Sequence, residues 1–174
     1  MLRKPVLFAI LFLISGCANF NDAMTPSLAV KTDQFDGSVI IVQPPVSASS
    51  SLSESWHTLG FEWNQKFPGE IIITVGVSGI DNITGVKFNV DGDTLTKIKS
   101  ASRLTSYGEW STRRFVMSIS DFVKLSQGSD VKMKVMQIDT YSVSSFGSAN
   151  SGAVVNNKIS AFIKELKERN ILPH

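Results

Sequence analysis

Apolar residues recur at every second position through most of this chain, and at helical spacing in one late stretch. Leu59, Phe61 and Trp63 alternate with Gly60 and Glu62, and Val86, Phe88 and Val90 with Lys87 and Asn89. Phe115, Met117 and Ile119 share one parity, and Val131, Met133 and Val135 alternate with Lys132 and Lys134. Successive side chains of a strand point to opposite faces, so each run describes a strand with one buried face. From about Ala153 to Arg169 the period lengthens: Val155, Ile159, Phe162 and Leu166 form a helical stripe, widened by Ile163. Burying that stripe is simplest against a sheet. The expected class is α+β: a mainly antiparallel sheet, one short helix, and a C-terminal amphipathic helix packed on the sheet.

Turn residues divide these runs. Asp36-Gly37 precedes a short strand over Ser38–Val42, which Pro44-Pro45 should end because proline lacks the ladder donor. Ser47 to Ser55 is serine-rich and reads as a mobile loop. After the Phe67-Pro68-Gly69 turn, Glu70 to Val77 is β-branched and apolar on both faces, which suits a central strand. Asp91-Gly92 is a two-residue hairpin signal, with the return strand expected over Asp93–Ile98. Ser120 is the expected cap of a short helix through Gln127 that Gly128 closes. The apolar phase shifts after Val135 to Met136 and Ile138, as at a bulge. Tyr141, Val143 and Ser145 continue that strand or form its neighbour, and residues 146–152 read as a loop.

The chain starts differently. Arg3 and Lys4 precede an uninterrupted apolar run from Val6 to Ile14, followed by Ser15, Gly16 and Cys17. A basic start, a short apolar run and small residues describe an export signal. The run is well short of the roughly 20 residues that a spanning helix needs. Leu13-Ile14-Ser15-Gly16-Cys17 resembles the lipobox of bacterial lipoproteins. The resemblance covers residues 1–17 and implies cleavage between Gly16 and Cys17, with lipid added to Cys17. Ala18, where an aspartate often signals inner-membrane retention in that class, implies an outer-membrane anchor facing the periplasm. The resulting division is a signal over 1–16, a lipidated cysteine and flexible tether over 17–34, and one globular domain over 35–174.

Cys17 is the only cysteine, so once it is acylated the domain has neither a disulfide nor thiolate metal ligands. The net charge of +2 belongs to Arg3 and Lys4. The neutral remainder argues against nucleic-acid binding, which rests on phosphate neutralisation. Charge is nevertheless segregated. Residues 18–96 hold three basic and nine acidic side chains, and residues 97–134 hold eight basic and three acidic. These blocks either neutralise each other across a sheet or leave a basic face for an anionic envelope ligand.

No motif for catalysis, a cofactor or a metal is recognised. His57 beside the serine-rich segment invites a Ser–His site with Ser53 or Ser55, but no nucleophile-elbow sequence accompanies it, and a surface or edge histidine is the expectation. Asn89, Asp91 and Asp93 carry oxygens that calcium could use, yet the hairpin turn explains Asp91-Gly92 without metal. Trp63 shares a face with Phe61 and Leu59 and belongs to the core. Trp56 and Trp110, flanked by polar residues, are candidates for ligand or partner contact, together with Lys97, Lys99, Arg103, Arg113 and Arg114 if these converge. The leading expectation is a non-enzymatic, membrane-tethered binding or scaffolding protein of the envelope, with an envelope protein or anionic ligand as partner. The alternatives are an envelope hydrolase with an unrecognised site, or an inhibitor or immunity-type protein presenting the 44–56 or 146–152 loop.

Overall fold

The computed structural model describes residues 25–51, 53–147 and 152–173. The signal and lipidation positions, Gly16 and Cys17 included, lie outside them, as do most of the 146–152 loop and His174. In chain order the described elements are β1 (Ala29–Thr32), β2 (Val39–Ser47), β3 (His57–Asn64), β4 (Glu70–Ser78), β5 (Gly85–Val90), β6 (Asp93–Leu95), β7 (Lys99–Ser100), β8 (Trp110–Ser118), α1 (Ile119–Gln127), β9 (Val131–Met136), β10 (Tyr141–Ser145) and α2 (Val154–Glu168). None of these helices is long and apolar enough to cross a membrane.

The α+β class holds, with every pair of named strands antiparallel, but the strands form two sheets rather than one. A six-stranded sheet runs β1-β2-β3-β4-β8-β7 and a four-stranded sheet runs β10-β9-β5-β6. β4 is central, as its two apolar faces predict, and both its edges are taken by β3 and β8. β5 therefore finds its partners in β6 and β9. β1 lies within the segment expected to be a tether, and pairs with β2 from Ala29↔Val42 to Thr32↔Val39. The flexible stretch expected over 17–34 is thus ordered sheet from Ala29 onward.

Pro44-Pro45 does not end β2. The strand passes through both prolines, and its register against β3 shifts between Gln43 and Val46. A bulge tolerates proline because its extra residue is unpaired anyway. Gly60 on β3 makes the room: a Cβ there would lie 2.8 Å from Pro45 N and 3.0 Å from Gln43 O. Other differences are shorter in reach. The return strand β6 stops at Leu95. Ser118, not Ser120, caps α1, its Oγ accepting from Asp121 N at 3.1 Å. The phase shift after Val135 marks the end of β9, because Ile138 sits exposed in the hairpin to β10. The Asp91-Gly92 turn forms as read, with φ of 51° and 97°.

One contiguous buried cluster draws on both sheets and both helices. Phe61 of β3, Phe122 of α1 and Phe162 of α2 meet at its centre, with ring centroids 4.9 to 5.7 Å apart and strongly inclined planes. That is the geometry aromatic rings prefer. All five stripe residues of α2 are buried, and so is Trp63.

Candidate functional site

Trp56 and Trp110, 54 positions apart, line one cavity of about 450 Å³. Its walls come from distant parts of the chain. Thr25 and Pro26 form one side, Pro45, Val46 and Ser47 come from the end of β2, His57 and Thr58 start β3, and Val154 opens α2. Trp110 is half-buried at the start of β8, whereas Trp56 is 55% exposed just before β3. An exposed indole and a half-buried one thus line an open-sided, mostly apolar cleft of the size that holds small ligands.

The serine-rich segment forms the rim, and it is tied down rather than loose. Ser50 N donates to Ser145 O at 2.9 Å, Ala48 N to His57 O at 2.9 Å, and Ser145 N to Glu54 Oε2 at 3.0 Å. Its hydroxyls largely serve the loop itself. Ser49 Oγ donates to Ser55 O at 2.5 Å, Ser47 Oγ to Ser49 O at 3.5 Å, and Ser51 Oγ shares a hydrogen bond with Ser53 Oγ at 2.8 Å. Opposite the rim, Gln43, 1% exposed, donates from Nε2 to the carbonyls of Pro26 and Pro44, each at 3.0 Å. That bond fixes the backbone leading into β1 against the cavity.

His57 corrects the surface expectation: it is 1% exposed. Its Nδ1 is hydrogen-bonded to Ser144 Oγ and its Nε2 to Ser142 Oγ, both at 2.8 Å. Ser53 and Ser55 are not its partners. Burial pushes its pKa down from 6.5 to about 4, so the ring is neutral at pH 7, one nitrogen donating and the other accepting. Ser144 is itself fully buried, out of reach of a substrate. His57 is therefore a clasp between β3 of one sheet and β10 of the other. Its parity with Leu59, Phe61 and Trp63 was the available signal. The partner serines carried none, because β10 turns Ser142 and Ser144 inward and Tyr141 and Val143 outward. The Lys134 ammonium, 3.4 Å from the Tyr141 ring centroid, covers part of that exposed face.

The basic candidates do not join the tryptophans. Arg113 donates to the carbonyls of Ile83 (2.6 Å), Ser102 (3.2 and 3.3 Å) and Arg103 (3.3 Å) and to Ser100 Oγ (2.9 Å), and lies 5.7 Å from the Phe115 ring centroid. It holds the 100–103 segment to β8. Arg114 pairs with Glu62 at 3.1 Å, neutralising charge between the basic and acidic blocks. Lys97 and Lys99 line a separate shallow groove with Glu70 and Met117, and Arg103 is exposed. Asp91 accepts from Ser129 N, Ser129 Oγ and Asp130 N, tying the hairpin turn to the α1–β9 loop.

Comparison with protein-family models, curated proteins and solved structures found no match for this chain.

Proposed function

We propose that this protein is a lipid-anchored component of a bacterial cell envelope that binds a small apolar ligand, without turning it over, in the Trp56–Trp110 cavity. The observation that carries the reading is the cavity itself: two indoles from distant sequence positions converge on a cleft of about 450 Å³. The surface of the cleft is mostly apolar and two of its walls are aromatic, which is what a binding site for apolar molecules requires. The anchor rests on the lipobox resemblance at Leu13–Cys17, and two or more chains on Cys17 would hold the protein at a bilayer durably.

The cavity is tested by titrating the protein with phenylnaphthylamine, a dye that brightens in apolar surroundings. Bright, saturable binding that Trp56→Ala and Trp110→Ala each weaken is expected; a dye response indifferent to both substitutions rejects the site. The anchor is tested separately by metabolic labelling with a fatty acid. Label should be lost in Cys17→Ser, and label retained there rejects the lipidation.

A further inference from the structure

We infer that the occupant of the Trp56–Trp110 cavity is a single acyl chain of a bilayer lipid, its polar head left outside; this rests on the reading of that cavity as a binding site. Three observations point the same way. The first is chemistry. Pro26, Pro45, Val46, Val154 and the two indoles line the cavity together with serine, threonine and His57 side chains; its surface is mostly apolar, and among the described residues no Lys, Arg, Asp or Glu lines it. Several of the polar groups in the lining are already engaged: the Ser47, Ser49 and Ser51 hydroxyls bond within their own loop, and both His57 nitrogens bond to β10. A sugar or a peptide buried there would lose its water hydrogen bonds with few replacements, a cost a hydrocarbon chain does not bear.

The second is size. A methylene takes about the room of a water molecule, roughly 30 Å³, so an open-sided cleft of about 450 Å³ accepts at most about 15 of them, enough for one chain and too few for two.

The third is position. Pro26 forms part of the wall and is pinned by Gln43, so the polypeptide enters the domain beside the cavity. Cys17 precedes Thr25 by eight residues. Eight residues reach at most about 28 Å in any conformation. With lipid on Cys17, the cavity is therefore confined to the neighbourhood of the headgroups, where acyl chains are the abundant apolar molecules.

The experiment displaces bound phenylnaphthylamine from the full chain with neutral monoacylglycerols of rising length (octanoyl, decanoyl, lauroyl, myristoyl), each below its micelle threshold. Maltotriose and a neutral peptide serve as competitors of other chemistry. Displacement should strengthen with length, by up to about fourfold per methylene where burial is complete, until the cavity is filled. Trp56→Ala should weaken it at least tenfold; this indole is exposed, and an unchanged thermal midpoint would confirm that the variant folds. Dye that binds at the tryptophans but is displaced by maltotriose or the peptide, or by monoacylglycerols regardless of length, overturns the acyl assignment and leaves the binding site standing. Dye that does not bind there at all overturns both. Transfer of a pyrene-labelled acyl lipid from phosphatidylcholine vesicles to the protein, absent in Trp56→Ala, would identify the bilayer as the source.

Discussion

At the scale of single residues, one strand contradicts the usual sorting of polar and apolar side chains. β10 sends Ser142 and Ser144 toward the core and leaves Tyr141 and Val143 exposed, because a neutral imidazole waits opposite for two hydroxyls. Charging that imidazole requires a desolvated cation and the loss of the acceptor nitrogen, so its folded-state pKa falls below the unfolded value. The contribution to stability is full above about pH 6.5 and is lost as the pH falls toward 4. The loss should reach about 3 kcal/mol. Urea unfolding across that range should show it, and His57→Gln, which keeps a donor and an acceptor without the titration, should flatten the profile. Asp36, lowered from 3.8 to about 2 chiefly by its hydrogen bond to Lys66, acts in a different window. So do Asp91, lowered first by the Asp130 backbone, and Asp121, lowered first by Lys124. Stability from these carboxylates is present above about pH 4 and is lost below it, so the two effects separate along the pH axis. Gly60 is a second residue whose role is invisible in composition. Gly60→Ala would drive a methyl group into the Pro45 backbone and should cost about 2 kcal/mol, read from the urea midpoint.

At the scale of elements, the strands and the long helix were legible because each carries its own period. β3, β4, β5, β9 and α2 stand where alternation or the helical stripe put them, whereas β8 starts at Trp110, four residues before the Arg114–Ile119 run read as a strand, and Ile119 opens α1. What escaped were features decided between elements. Pro44-Pro45 reads locally as a strand end, yet Gly60 across the ladder converts it into a bulge. The four-stranded sheet exists because both edges of β4 are occupied, a fact about pairing that no single segment contains. The two candidate tryptophans were readable from their polar neighbours, but their meeting was not, since it depends on the end of β2 and the starts of β3, β8 and α2 coming to one place. The helices offer direct tests. Phe162 contacts Phe61 and Phe122 and joins α2 to β3 and α1, so Phe162→Ala should cost roughly 3–5 kcal/mol in urea unfolding. Ser118→Ala removes the hydroxyl that accepts from Asp121 N and should cost about 1 kcal/mol, with little effect on the Trp56–Trp110 cavity, which Ser118 does not line.

At the scale of the whole molecule, the cavity is a product of complete folding. Its walls are drawn from residues 25–26, 45–47, 49–51, 56–58, 110 and 154, and no single hairpin or helix contains even its two indoles. An unfolded chain therefore has no comparable site, and a ligand that fills the cavity must stabilise the native state by mass action. With ligand at about 100 times its dissociation constant the gain is about 2.7 kcal/mol. Lauroyl monoacylglycerol should accordingly raise the urea midpoint of the native protein and leave that of Trp56→Ala unchanged. The shift should appear in tryptophan fluorescence and in far-ultraviolet circular dichroism alike, because one buried cluster joins both sheets and both helices and ought to unfold as a unit. A ligand effect confined to the fluorescence signal would instead mean that the cleft opens and closes independently of the core, with the rim beyond the buried Ala48 as the part able to detach: Ser50 N donates to Ser145 O and Ser145 N to Glu54 Oε2, and Ser49, Ser50, Ser51, Ser53, Glu54 and Ser55 are not members of the buried cluster.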